Sequence, residues 1–309
     1  MPAPTRTPEV GTEFTPLATD RLELGEGVRL LDDGRIVLVD ILTGRLLTLP
    51  YDPDGALIEL ARLGEPLGAV APLNTGAGFL AAAGTGFAWL AEDGTLTSRK
   101  RLPDLEGPPL RRMNDAVCDA QGRFWAGSMA YDADPGAGAL HRLDPDGTVV
   151  TVLKDLTVPN GPAVSPDGAT LYLADSAHGA VYAYRMHQAT GALSGRRVFF
   201  RLAPGNGSPD GMTVDDEGRL WSAVWGAAEV RCYAPDGQLL LRLGLPTGQP
   251  TSVCLTGDRL IVTTARYGLD APGPLDGAVL SVPCDATAPT ASPAASRSDQ
   301  LIGPLVPRP

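Results

Sequence analysis

Four oxygen-bearing side chains recur at one fixed offset from a glycine. Glu26 stands eight residues before Gly34, Asn114 before Gly122, Asn160 before Gly168 and Asp210 before Gly218. The set holds two carboxylates and two carboxamides, all hard oxygen donors. Brought together in space, such donors suit Ca²⁺, Mg²⁺ or Mn²⁺ better than a soft metal, and Zn²⁺ also accepts carboxylates. An Asn or Asp before a glycine is ordinarily a turn residue, so any one of these motifs alone means little. Their recurrence asks for an architecture that carries equivalent positions to one place.

The flanking sequence describes that architecture. Each glycine is followed by a short apolar run, such as Ile36–Val39 or Leu171–Ala174, and tight-turn tetrads punctuate the chain at 52–55, 144–147, 165–168 and 234–237. Helix-period stretches are scarce, and short strands between tight turns indicate an all-β fold. The spacing is 46 residues from Asn114 to Asn160, 50 from Asn160 to Asp210 and 88, two further repeats, from Glu26 to Asn114. A degenerate unit at 71–90 fills the gap and another follows at 249–265. Six units, each long enough for four strands, predict a six-bladed β-propeller around a central channel. The expected organisation is an N-terminal segment 1–19, of which 13–17 adds a strand to the last blade, a single propeller over 20–284, and a Pro/Ala/Ser-rich tail over 285–309 that lacks apolar anchors and is expected to be loose. In a propeller the innermost strands line the channel. Glu26, Asn160 and Asp210, from the first, fourth and fifth blades, would there offer two carboxylates and an amide oxygen, leaving coordination positions open.

Composition excludes other classes. The 309 residues carry a net charge of −11 and no Lys/Arg cluster, so nucleic-acid partners are not expected, nor an anionic membrane. No apolar run is long enough to span a bilayer, and the first twenty residues lack a signal-peptide pattern. Cys118, Cys232, Cys254 and Cys284 have neither zinc-ligand nor redox spacing. The first three sit in apolar runs and read as buried free thiols, which suits a reducing, cytoplasmic setting. His141, His178 and His187 fall outside the repeated position and read as surface or turn residues. Ser128 and Ser176 have no Gly-x-Ser-x-Gly elbow. Asp40 and Asp175 end second strands as turn or packing residues, and the four tryptophans read as blade packing.

The motifs resemble the senescence marker protein/gluconolactonase family, which includes regucalcin. The resemblance rests on Gly25-Glu26, Arg112-Met-Asn114-Asp115, Gly122-Arg-Phe-Trp-Ala-Gly-Ser-Met129, Pro159-Asn160-Gly161, Ser165-Pro-Asp-Gly168, Tyr172-Leu-Ala-Asp175-Ser176, Pro209-Asp210-Gly211-Met212 and Pro250-Thr-Ser-Val253, in order over 20–284. It implies one divalent metal, Ca²⁺ foremost, on Glu26, Asn160 and Asp210. It implies substrate contacts from Arg112, Asn114 and Asp132, and Asp210 as the general base in opening a small sugar lactone such as gluconolactone. A monomer or small homo-oligomer is expected. The chain departs from the family where Gly27-Val28-Arg29-Leu30 replaces a Pro-x-Trp continuation and where Ala116 replaces the glycine of Asn-Asp-Gly. These changes spare the metal ligands and bear on the substrate. Two other readings are a non-catalytic propeller that binds metal or ligand, and a propeller hydrolase of another ester class, such as phosphotriesters.

Overall fold

Both faces of the second strand of each blade are buried, which is why these strands read as continuous apolar runs such as Phe79–Ala83 and Thr170–Asp175, while the outermost strands are largely exposed. A computed structural model describes residues 6–52 and 54–295. These form 24 strands in six four-stranded antiparallel sheets, with two short 3-10 turns and no α-helix. No helix is long and apolar enough to cross a membrane among them. The sheets are the six blades of a propeller. The first five run in chain order from channel to rim. Their inner strands are Gly25–Leu30, Leu67–Pro72, Arg111–Cys118, Pro159–Val164 and Ser208–Val214. The sixth has three strands from the C-terminal part, beginning with inner strand Pro250–Leu255, and takes its fourth from the N-terminus. Thr15 and Pro16 pair with Ser281 and Leu280. That closure is the one expected from residues 13–17.

Neighbouring blades share their cores. Val37, Val39 and Leu46 of the first blade pack with Val70, Ala81 and Ala88 of the second, and Leu80 and Phe87 of the second with Met113 and Phe124 of the third. No blade could bury its faces alone, so burial requires the closed ring. Buried polar boxes brace two of the inner hairpins. The Asp119 carboxylate accepts from the Arg123 Nε at 2.6 Å and the Trp125 Nε1 at 2.9 Å, and Asp215 repeats the pattern with Arg219 at 2.6 Å and Trp221 at 2.8 Å. Trp125 and Trp221 are thus packing residues, as expected, and the Asp-x-x-Gly-Arg-x-Trp text of 119–125 and 215–221 is a structural signature.

Two parts differ from expectation. The tail over 285–295 lies as a strap against the lower ends of the inner strands. Its anchors are backbone hydrogen bonds and small buried side chains, Ala286 and Ala294. Asp216 N donates to Thr287 O (2.8 Å), Ala291 N to Leu30 O (2.8 Å), Ala294 N to Pro72 O (2.8 Å) and Ala295 N to Gly122 O (3.2 Å). The rest of the expected tail, and the first residues of the N-terminal segment, lie outside the described residues. His141 is neither surface nor turn. It is buried in the third blade, with Nε2 at 2.9 Å from Ser128 Oγ and Nδ1 at 3.1 Å from Thr151 Oγ1. Burial lowers its pKa from 6.5 to about 4. The unfolded chain therefore takes up this proton first, so the stability that neutral His141 supports is complete above the unfolded pKa and is lost as pH falls toward the folded one. The stability of the wild type relative to His141→Gln is expected to shrink by roughly 2 kcal/mol between about pH 7.5 and pH 5. Urea titrations of both proteins at the two pH values check this; a constant difference would contradict it.

Candidate active site

Every inner strand breaks its register at the same height. The pairing of each inner strand with its neighbour skips between Glu26 and Arg29, Leu67 and Ala69, Met113 and Ala116, Asn160 and Ala163, Pro209 and Met212, and Pro250 and Ser252. A bulge adds a residue and re-aims the side chains beside it. The repeated polar residues of the sequence sit at these bulges, so the ring of irregularities is what turns them to the axis.

The third to fifth blades meet there through direct contacts. The Asn160 Nδ2 donates to Asp210 Oδ1, and the Asn160 Oδ1 accepts from Gly161 N at 3.1 Å. Asn114 Nδ2 donates to Pro159 O at 3.0 Å, fixing the third blade against the fourth. Arg112 Nη1 donates to Asn114 Oδ1 at 2.6 Å and to Met113 O at 3.1 Å. Glu26 comes from the first blade, and its Oε2 accepts from Gly27 N at 2.9 Å. All five side chains are buried. Asp40 and Asp175 support the strands that deliver Glu26 and Asn160: Asp40 accepts from Leu24 N at 3.0 Å and Asp175 from Val158 N at 3.0 Å.

The electrostatics are those of a cluster short of positive charge. Burial, then repulsion from Asp210 and Asp115, pushes the Glu26 carboxyl well above the usual carboxylate range. Burial and the Asp115 charge do the same to Asp210, offset in part by a hydrogen bond with Glu26 and by Arg112. Burial lowers the Arg112 pKa, offset in part by Tyr131, Glu26, Tyr267 and Asp210 in that order. Two adjoining buried carboxylates that resist ionising in the bare protein are a fitting seat for a hard cation. Among the described residues no three His, Cys, Asp or Glu side chains form a metal cluster by themselves. The set here takes its third donor from the Asn160 carboxamide, whose oxygen a half-turn of the amide would present to the axis. Glu26, Asn160 and Asp210 therefore fit a divalent ion, with Arg112 and Asn114 beside them toward the mouth.

Asp132 stands apart. It is exposed, and its Oδ1 accepts from Asp134 N within its own turn at 3.3 Å. Four residues near the site carried no role in the sequence reading. Asp115 is fully buried beside the two carboxylates, and Arg29 contacts it. Tyr131 and Tyr267 are half exposed at the upper rim, on blades that face each other across the ring, with backbone N–H groups held by Leu110 O at 3.1 Å and Glu23 O at 3.0 Å. Asp115 and Arg29 had one signal, a charge on a strand otherwise buried; the tyrosines had none.

A family model for the SMP-30/gluconolactonase/LRE-like region matches residues 24–266. The chain belongs to this family. Among its relatives, a pentonolactonase of Haloferax volcanii is 37% identical over 246 residues, covering 78% of this chain and 81% of the relative. A 6-deoxy-6-sulfogluconolactonase of Pseudomonas putida is 34% identical over 250 residues, covering 78% and 84%. The crystal structure of regucalcin from Agrobacterium tumefaciens, described as a calcium-binding protein, superposes with a TM-score of 0.82 at 27% identity over 91% of this chain and 97% of that one.

Close approach of the fourth and fifth blades depends on Gly161. Its φ is +48°, and an added Cβ would lie 2.4 Å from the Asp210 carbonyl oxygen. Gly161→Ala is expected to cost about 1–3 kcal/mol and to weaken divalent-ion binding by moving Asn160 from Asp210. Urea titration and calorimetric ion titration check both; an unchanged ion affinity would show that the two side chains need not touch.

Proposed function

We propose that the protein is a divalent-metal-dependent hydrolase that opens a sugar lactone to its aldonic acid. One observation carries the reading: a buried oxygen-donor set, Glu26, Asn160 and Asp210, lies directly beneath a buried Arg112–Asn114 pair. The named activities of the pentonolactonase and the sulfogluconolactonase point to polyhydroxylated lactones as a class. Regucalcin's description as calcium-binding favours Ca²⁺, with Zn²⁺, Mg²⁺ and Mn²⁺ able to use the same donors. The ion, when bound, would polarise the lactone carbonyl and make water more acidic.

The chain's own residues do the rest. Water adds to the carbonyl carbon, the ring C–O bond breaks, and the ring oxygen leaves as a hydroxyl after taking a proton. Asp210 would accept the proton that the attacking water loses and return it to that oxygen. Arg112 is held by Asn114 and Met113 O, so its remaining N–H groups are free to meet substrate hydroxyls and the carboxylate that forms. Asn114, with its Nδ2 on Pro159 O, fixes that guanidinium. Tyr131 and Tyr267 flank the mouth and would offer ring faces to the C–H surface of the lactone. Asp132 would reach a substrate hydroxyl only from the rim. Buried free thiols at all four cysteines suit a reducing cytoplasm.

Purified protein loaded with Ca²⁺ is expected to open gluconolactone or a pentonolactone faster than the spontaneous rate, and a chelator should abolish the gain. No gain over a panel of sugar lactones would refute the proposal, and ion uptake without turnover would leave an ion-binding propeller. Asp210→Asn should lower kcat by roughly 10²–10⁴-fold. Arg112→Met should raise KM about tenfold or more while the fold is kept, as steady-state kinetics with far-ultraviolet circular dichroism would show.

A further inference from the structure

Below the site, the inner strand of the first blade carries an arginine that points inward. Arg29 Nη1 donates to Val28 O at 2.9 Å, and Nη2 to Ala116 O at 3.0 Å and to Asp115 Oδ1 at 3.3 Å. Val28 belongs to the first blade and the other two acceptors to the third. The side chain therefore passes across the second, where Gly68, Ala69 and Ala71 are small. Its partner Asp115 is fully buried, and the second oxygen of that carboxylate, Oδ2, has no hydrogen-bond partner. Two main-chain carbonyls and a carboxylate with an oxygen to spare are a donor set that a hard cation would ordinarily take. In this chain a guanidinium fills it.

We propose that Arg29 is a built-in cation that takes the seat of a second metal ion in the lower channel and so limits the protein to one. The inference rests on Glu26, Asn160 and Asp210 holding a divalent ion. Charge supports it. Three buried carboxylates, Glu26, Asp115 and Asp210, line this part of the channel. One divalent ion matches two of them and Arg29 matches the third. That leaves Arg112, on the substrate side, as the unmatched charge, available to the carboxylate that lactone opening creates. A divalent ion at Asp115 would add a further positive charge and hold that product more tightly. A plain buried ion pair would also cost stability when broken, but it would not change the number of ions bound.

Equilibrium dialysis of the full chain against about 1 mM calcium, with metal analysis of the folded protein, separates the two. The wild type and Arg29→Lys, which keeps the charge, should bind one ion per chain. Arg29→Ala should bind two, and Arg29→Ala combined with Asp115→Ala should return to one. If Arg29→Ala needs calcium to fold, refolding on its addition with two ions bound supports the inference equally; failure to fold in calcium overturns it. One ion in Arg29→Ala, or two in the wild type, also overturns it while leaving the proposed hydrolase intact. A wild type that binds no divalent ion removes both.

Discussion

The structure depends on how closely six backbones can approach one axis. The inner strands meet where side chains are shortest. Gly68 lies against the Asn114 main chain, Gly161 against the Asp210 carbonyl and Gly211 against Thr251, each with no room for a Cβ. The close approach of these main chains brings the polar side chains there into each other's company. Ionisable groups at the waist are cut off from water and crowded by one another. That is the physical origin of the raised carboxyl pKa values at Glu26 and Asp210. The site is a consequence of the fold's geometry, and the bulges decide which residues of each strand face it.

Much of this was legible because the repeat writes both the fold and the site. The offset between a polar residue and a turn glycine located the inner hairpins, and the apolar run after each glycine gave the second strand. The N-terminal closing strand followed from ring closure alone. What resisted reading had partners far away along the chain. Arg29 and Asp115 are 86 positions apart, and nothing in the local pattern says that a side chain from the first blade reaches past the second. The strap at 285–295 has only alanines and prolines for apolar side chains, and composition does not predict main-chain hydrogen bonding. His141 read as a surface or turn residue, but its two hydroxyl partners, Ser128 and Thr151, lie on the strands to either side and satisfy both ring nitrogens.

The two ends of the channel are chemically unlike. Toward the upper rim stand Arg112, Asn114, Tyr131 and Tyr267, all able to donate or accept hydrogen bonds or to offer a flat face to a ring. Toward the lower end the lining turns to Val28, Val70, Ala163, Met212 and Val253, around a cavity of about 240 Å³ roofed by Arg29 and floored by the strap at Ala288–Ser292. The carboxylate cluster lies at the boundary.

The strap has a consequence for the ring itself. It takes hydrogen bonds from or gives them to Asp216 of the fifth blade, Leu30 of the first, Pro72 of the second and Gly122 of the third. Four blades are thus tied at their lower ends by a piece of chain that belongs to none of their sheets, so loosening one of them pulls on the other three.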